Sequence, residues 1–333
     1  METNIYKIDP WEIIEEGWDP GKVMGSESIF SIGNGAMGQR ANFEEDFSGK
    51  TFKGSYIGGI YYPDKTKVGW WKNGYPEYFA KVINAPSWIG ISILIDGIPL
   101  DLNKVDKIEK FERKLDMKNG LYERRISINT NNNLKVEIES KRFISMKRKP
   151  VGSISYKIRC NRDVKITLSP YIDFDVSNDD SNWDEKFWET TEKINTLNKS
   201  LVKSKVKKTG FKVITYMKAD LYDNNVKLEK PFIAKSDSKK ILLESKHKLN
   251  KGHTLKLVKF GGYVTSECNE WNKIENKANE ILNFLENTSF ESLYQEHKLE
   301  WAKIWEQSDI KISGDNKSQQ AIRFNIFQLN QTF

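Results

Sequence analysis

The sequence is poor in the residues that build disulfide frameworks and zinc sites. It holds 2 cysteines, 3 histidines and 9 prolines among 333 residues. Cys160 and Cys268 are too few for either kind of framework, so we interpret both as free thiols in a reducing compartment. His247, His253 and His297 are isolated histidines, and no Ser/His/Asp, HExxH or P-loop pattern surrounds them. These absences exclude disulfide frameworks, zinc sites and the catalytic or nucleotide-binding sites that such motifs mark.

Long hydrophobic runs are missing as well. No stretch approaches the roughly 18 uninterrupted apolar residues of a membrane helix. The chain starts METNIYKIDPWEIIEEGW, which is acidic and amphipathic, whereas a signal peptide is basic and then apolar. Hydrophobic residues at 38% and charged residues at 30% are typical of a folded, soluble chain. We therefore expect a cytoplasmic protein with no membrane partner.

Positive charges exceed negative charges only slightly. Lysine and arginine number 53 against 46 aspartates and glutamates, which leaves a formal net charge of +7. The basic residues are spread along the chain, and the dense run Lys203–Lys208 (KSKVKK) alternates as the solvent face of a strand or hairpin does. Because nucleic-acid binders gather basic residues on one face, we expect no nucleic-acid partner.

Most of the chain between Trp88 and Val264 alternates with the period of β-strands. The runs are WIGISILI, LYERRISI, LKVEIES, VGSISYKI, VKITLSP, FKVITYM, KKILLES and TLKLVKFGGYV. Turn residues such as Asp96-Gly97 and Asn224-Asn225 separate them, with no room for helical crossovers. The pattern predicts a mainly β protein, built as a large antiparallel two-sheet sandwich.

After Val264 the hydrophobic period becomes helical. Apolar residues recur at three- and four-residue steps from Trp271 to Leu285 and again from Phe290 to Trp305. Thr288 and Glu291 have the spacing of a capping box, which predicts the start of the second helix.

A third helix is expected from about residues 315–318 to Phe333. Its apolar residues point in several directions, as in a helix buried on most of its circumference, and no stop signal follows. We therefore expect the chain to be cut inside a larger architecture. The alternative is a terminal helix that packs on the sandwich.

The glycine run Gly33–Gly38 matches the dinucleotide motif G-x-G-x-x-G. A Rossmann turn opens a helix and is followed about 20 residues later by an acidic residue. Here no helical period follows, and Lys50–Ser55 contains no carboxylate. We interpret the glycines as a strand-to-loop turn that needs positive φ and close backbone approach, and we expect no cofactor.

Two further segments are candidates for function. Val68–Phe79 (VGWWKNGYPEYF) gathers aromatic rings around an Asn-Gly pair, and sugar C–H faces stack on such rings. The candidate substrate-binding residues are Trp70, Trp71, Lys72 and Tyr75. The alternative is that the tryptophans pin the loop to the sandwich. Carboxylates crowd Asp173–Glu189, but without a defined pair distance or EF-hand spacing we assign no catalytic residue and no metal ligand there.

Three longer segments resemble glycoside hydrolase family 65, and its maltose phosphorylases most of all. They are SESIFSIGNGAMGQRANFEE, KTFKGSYIGGIYYPDKTKVGWWKNGYPEYFAKVINAPSW and QQAIRFNIFQLNQTF. The likeness runs from end to end of the chain. It implies an N-terminal super-β-sandwich over residues 1–266 and a two-helix linker over 267–313. Residues 314–333 are then the first helix of an otherwise absent (α/α)6 barrel.

The resemblance also implies an activity, the inverting phosphorolysis of maltose to glucose and β-glucose 1-phosphate. Inorganic phosphate is the co-substrate and replaces the base-activated water, so one carboxyl suffices. In the family the barrel supplies that carboxyl and binds the disaccharide, so no catalytic residue carries over and we expect the chain alone to be inactive. Full-length relatives are expected to be homodimers. The alternative is a non-catalytic sandwich module that binds carbohydrate or a partner barrel.

Overall fold

The computed structural model describes residues 6–67, 74, 76–130, 133–197, 199–266 and 269–332. The strands are β1 (Lys7–Ile8), β2 (Glu12–Glu16), β3 (Ile32–Gly33), β4 (Met37–Gln39), β5 (Ser55–Ile57), β6 (Tyr61–Lys65), β7 (Tyr78–Val82), β8 (Ile91–Ile95), β9 (Ile98–Pro99), β10 (Lys107–Asp116), β11 (Leu121–Asn129), β12 (Lys135–Ile144), β13 (Gly152–Cys160), β14 (Val164–Asp173), β15 (Trp188–Asn195), β16 (Ser200–Val206), β17 (Lys212–Asp223), β18 (Val226–Lys227), β19 (Ile233–Ser236), β20 (Lys240–Leu249) and β21 (Thr254–Val264). The helices are α1 (Val23–Ile29), α2 (Trp271–Glu286), α3 (Phe290–Ser308) and α4 (Asn316–Thr332).

Two large sheets form the sandwich. The larger follows the order β1-β2-β10-β11-β12-β13-β21-β17-β16-β15, with β18 paired to β17, and the smaller follows β19-β20-β14-β8-β9. The strand pairs within both sheets are antiparallel. Ile93 and Ile166 of the smaller sheet share one core with Ile126 and Ile158 of the larger. The predicted antiparallel β-sandwich is confirmed.

The runs predicted as strands are strands, and the turns between them have the expected backbone. The φ angle is 51° at Asp96 and 83° at Gly97, and 47° and 70° at Asn224 and Asn225. Two successive residues with positive φ make the type I′ turn that suits a hairpin. The solvent face expected for KSKVKK is wrong at Lys203, whose side chain is buried and paired with Glu192 and Glu275.

Helices α2 and α3 cover the outer face of the larger sheet. Ile274 and Leu282 of α2 and Leu293 of α3 share a second core with residues of β12, β17 and β21. Since β21 is covered on both faces, the residues from Leu257 to Val264 are all buried, Lys259 among them. The predicted capping box is wrong by one residue: Ser289 is the N-cap of α3 and Ser292 completes the box.

Helix α4 packs against the rest of the described chain by one face. Phe327 stacks on Trp301 of α3 at 4.7 Å between ring centroids. The Arg323 guanidinium binds both carboxylate oxygens of Asp309, at 2.8 and 2.9 Å. Leu329, on the other side, is 58% exposed. None of the helices in the described part of the chain is long and apolar enough to cross a lipid bilayer.

Candidate functional site

The glycine run forms a tight turn between β3 and β4, as the sequence predicts, and Asn34 organises it. The Asn34 Oδ1 atom accepts hydrogen bonds from the N–H groups of Ala36 and Met37, and Nδ2 donates to the carbonyls of Ser145 and Lys149. Asn34 is fully buried, and these bonds satisfy its side-chain amide, whose burial without partners would cost free energy. The turn thereby fastens the small β3-β4-β5 sheet to the sandwich.

The end of α4 lies directly against this turn. Gly35 donates its backbone N–H to the Gln331 carbonyl at 2.8 Å, and its φ is 82°. A Cβ on Gly33 would lie 3.0 Å from the same oxygen, so this position also requires a glycine. The glycines therefore serve the close approach of a helix rather than a nucleotide.

A cleft of about 690 Å³ opens beside this contact. Its walls are the glycine turn, residues 56–61 and the strand β7, and its floor is the last turn of α4. Gln331 Nε2 donates to Gln328 Oε1, but Gln328 Nε2 and Gln331 Oε1 have no partner among the described residues. Unpaired buried amide groups are unusual in folded proteins.

The hairpin β6-β7 presents an exposed apolar face next to the cleft. Tyr61 pairs with Val82, and Pro63 pairs with Ala80. Tyr61 is 42% exposed and Val82 is 60% exposed. Because directly opposed residues share a face of a hairpin, these side chains form one apolar surface.

The same hairpin carries the predicted aromatic loop. The loop is closed at its base, since the Thr66 N–H donates to the Glu77 carbonyl and the Thr66 hydroxyl donates to the Pro76 carbonyl. At its tip, Gly74 has a φ of 90°, as a sharp turn requires. The candidate substrate-binding residues Trp70, Trp71, Lys72 and Tyr75 lie outside the described residues.

The acidic segment packs against the hairpin and is neutralised by lysines. Lys81 pairs with Asp64 at 2.8 Å and also bonds the Asp180 carbonyl. Two lysines, Lys186 and Lys239, face Asp175 and hold the pKa of its carboxyl below the ordinary range. These carboxylates hold two loops together, and in the described residues no three metal-ligating side chains converge.

A buried ionic cluster joins the larger sheet to the segment between β4 and β5. Arg124 contacts both Glu44 and Glu45, and Arg142 contacts Glu44 at 3.0 Å, all four side chains being completely buried. Although burial opposes ionisation, the two arginines hold the pKa of Glu44 below its ordinary range. The Tyr156 hydroxyl donates to Glu45. The sequence analysis missed this cluster, although Arg124 falls on an inward position of the β11 alternation.

Two histidines that the sequence analysis treated as isolated meet at one carboxylate. His247 Nε2 lies 2.9 Å from one oxygen of Asp223, and His253 Nδ1 lies 3.0 Å from the other. The third, His297, accepts a hydrogen bond from the Met146 N–H at Nδ1 and contacts the Gly120 carbonyl through Nε2. Burial lowers the pKa of His297 to about 4. It is therefore a neutral structural histidine at neutral pH.

The carboxyl groups decide what this chain can do chemically. A general acid at neutral pH needs a raised pKa. In the described part of the chain, the clear pKa shifts among aspartates and glutamates are all downward. What the arrangement offers is a binding surface of aromatic rings, backbone groups and amides.

Comparison of this chain with known proteins identifies its family and its relatives. The sequence model described as glycosyl hydrolase family 65, N-terminal domain, matches residues 13–304. Maltose phosphorylase of Bacillus subtilis (strain 168) is 36% identical over 335 residues, which cover 100% of this chain and 43% of the relative. Alpha,alpha-trehalose phosphorylase of Thermoanaerobacter brockii is 30% identical, covering 98% of this chain and 43% of the relative.

The fold of this chain also matches that of a solved structure. The structure of a candidate kojibiose phosphorylase from the human microbiome superposes with a TM-score of 0.86 at 25% identity. The match covers 98% of this chain and 42% of the other. The chain thus spans less than half the length of the relatives that it matches, and it belongs to glycosyl hydrolase family 65, through the N-terminal domain of that family.

Proposed function

We propose that this chain is the non-catalytic N-terminal domain of a disaccharide phosphorylase that acts in the cytoplasm on maltose. The reaction is maltose plus phosphate to glucose plus β-glucose 1-phosphate, with inversion. The observation that carries the proposal is the 36% identity to the Bacillus maltose phosphorylase over the full length of this chain. Trehalose and kojibiose phosphorylases are also relatives, so phosphorolysis of a disaccharide is their common chemistry.

The proton transfer in this reaction supports placing catalysis in a part of the protein outside this chain. In this reaction an acid protonates the leaving oxygen while phosphate attacks the opposite face of the anomeric carbon. The downward carboxyl pKa shifts described above leave this chain without a suitable donor among the residues concerned. We therefore assign the donor and the phosphate site to a catalytic barrel outside this chain. In this assignment residues 1–266 are the sandwich, residues 267–313 are the linker and residues 314–333 begin the barrel.

The aromatic loop is the part of this domain that we assign to the sugar. We propose that Trp70, Trp71, Lys72 and Tyr75 contact the disaccharide on the side of the leaving glucose. Three features support this: the loop is closed at its base by Thr66, it stands on a hairpin with an exposed apolar face, and the far end of that hairpin lines the cleft beside α4.

A chimaera tests the proposal. This chain is joined to the part of the Bacillus maltose phosphorylase that lies outside the matched segment, and glucose 1-phosphate release from maltose and phosphate is measured. We expect phosphorolysis, and a molar mass by light scattering that corresponds to a homodimer. A folded chimaera that releases no glucose 1-phosphate contradicts the proposal and favours the carbohydrate-binding or partner-binding module.

The assignment of the loop has its own test in the same chimaera. Trp71→Ala is expected to raise KM with kcat nearly unchanged, because the proton donor stays in place. Phe284→Ala, at an exposed aromatic residue on α2, is the matched control and is expected to leave both constants unchanged. Unchanged kinetics for Trp71→Ala together with a lowered Tm would assign the loop to packing.

A further inference from the structure

Trp183 presents an exposed aromatic ring at the base of the aromatic loop. It is 54% exposed, whereas the other tryptophans within the described residues are buried or half-buried. Leaving a large apolar ring in water forgoes the gain of burying it, on the order of 25 cal/mol per Å². Single exposed apolar side chains are common on protein surfaces, so Trp183 is of interest because of the contacts that hold its ring.

Polar contacts clamp the ring to strand β6. The indole Nε1–H donates to the Lys65 carbonyl at 3.1 Å, and the side-chain amide of Asn182 donates to the same oxygen at 3.0 Å. The Asn182 backbone N–H donates to the buried carboxylate of Asp64 at 3.1 Å. The next residue, Asp184, has a φ of 52°, in the left-handed region. The loop therefore fixes the orientation of a ring that it does not bury.

A second exposed ring lies on the same face of the hairpin. Phe79 is 45% exposed and pairs directly with Asp64 in the β6-β7 register. Because opposed residues share a face, Phe79 lies on the side where Asp64 holds the Trp183 loop. The Lys67 ammonium group is 6.0 Å from the Trp183 ring centroid, at the outer limit of a cation–π contact.

We propose that Trp183 and Phe79 form a stacking platform for one glucose ring of a gluco-oligosaccharide. A pyranose presents a flat C–H face that stacks on an aromatic ring, and hydroxyls at its edge that need donors and acceptors. Lys67, whose ammonium group lies 6.0 Å from the Trp183 ring centroid, supplies a donor beside the ring. A protein partner fits less well, because an interface anchor is ringed by contacts that exclude water, whereas Asp180, Asp184 and Lys67 are exposed and charged here.

The choice of an α-linked glucose ligand rests on the proposed function, but the test does not depend on catalysis. The purified chain is mixed with maltose, and saturation transfer from protein to sugar protons is measured by NMR. We expect saturation confined to one glucose ring for the unaltered chain. Trp183→Ala is expected to raise the apparent Kd about fivefold or more, since stacking worth ~1 kcal/mol corresponds to that factor.

Two variants separate stacking from a change of fold. Trp183→Phe keeps an aromatic face and is expected to keep most of the saturation, and Phe284→Ala is expected to change nothing. All variants are expected to keep the Tm of the parent, because Trp183 contributes little buried area. Equal saturation in Trp183→Ala, or no saturation of maltose by the parent chain, overturns the platform while leaving the chimaera result intact. Self-association that Trp183→Ala abolishes, without maltose saturation, also overturns it and makes the surface an interface between copies.

Discussion

The contact between α3 and the β10-β11 turn and the surface around the β6-β7 hairpin are built in opposite ways. At the first, both ring nitrogens of His297 are bonded, Trp301 stacks on Phe327, and the Trp305 indole donates to the Met117 carbonyl at 3.0 Å. At the second, Tyr61 and Trp183 are about half exposed, although their backbones are firmly held. The closed contact stabilises the fold. The open surface is available to a ligand or to another domain.

The largest stability effect is expected in the ionic cluster of the closed interior. Arg124→Met removes the charge that neutralises Glu44 and Glu45 and leaves carboxylates buried with too few partners. Breaking one side of a buried pair costs roughly 3–5 kcal/mol of the free energy of unfolding. Urea unfolding measures this cost. Arg125→Met, at a neighbouring half-exposed position, is the control and is expected to cost less than about 1 kcal/mol. Equal losses of unfolding free energy in the two variants would show that the buried cluster stabilises the protein no more than a half-exposed ion pair does.

The next effect is expected at the closed contact itself. A Cβ on Gly120 would lie 2.0 Å from Trp301 Nε1 and 2.6 Å from His297 Nε2, and φ there is 63°. Gly120→Ala is expected to cost about 2–4 kcal/mol from steric overlap and backbone strain together. Gly97→Ala shares a positive φ of 83° but meets nothing within 4 Å. The difference between the two variants, measured by urea unfolding, isolates the overlap, and a difference near zero would contradict this packing.

The acid sensitivity of the same contact follows from His297. Its pKa is lowered to about 4 in the folded chain from 6.5, so the unfolded chain takes up the proton first as the pH falls. The stabilising contribution is complete above pH 6.5 and is lost as the pH falls through 4. Between pH 7 and pH 5 we expect a loss of about 2 kcal/mol. His297→Gln is expected to reduce this loss. An identical pH dependence in His297→Gln would contradict a buried neutral imidazole.

The smallest stability effect is expected at the open surface. Val82→Ser changes a residue that is 60% exposed and is expected to shift the free energy of unfolding by less than about 0.5 kcal/mol. Val202→Ser, at a fully buried valine, is the contrast and is expected to cost several times more. Denaturant titrations of the pair compare the two regions directly. Similar costs would show that the hairpin face is packed in solution.

The fold could be predicted largely because its signals are local. Strand alternation depends on neighbouring residues, and turns such as Asp96-Gly97 depend on the few residue types that accept positive φ. The contacts of the site depend on residues far apart in the chain. Arg124 meets Glu44 across 80 positions, and Trp183 bonds Lys65 across 118. No spacing rule connects such pairs, so the ionic cluster, the Asp223 histidine pair and the Trp183 platform were missed.

The contacts of α4 could not be predicted, for a related reason. Gln319, Arg323 and Gln331 make up much of its buried face. Polar side chains can be buried when their groups are bonded, as the Gln319 amide is to the Ile310 carbonyl and the Ile312 N–H. The spacing of hydrophobic residues in a sequence does not reveal buried polar side chains of this kind.

Phosphorolysis by the isolated chain tests the central claim most directly, namely that this domain supplies a scaffold and a sugar-facing surface but no proton donor. Purified chain is incubated with maltose and inorganic phosphate, and glucose 1-phosphate is measured against a boiled control. We predict no release above that control. Release by the isolated chain that is lost in Asp175→Asn or Asp184→Asn would contradict the account and place the chemistry in the acidic segment beside the hairpin.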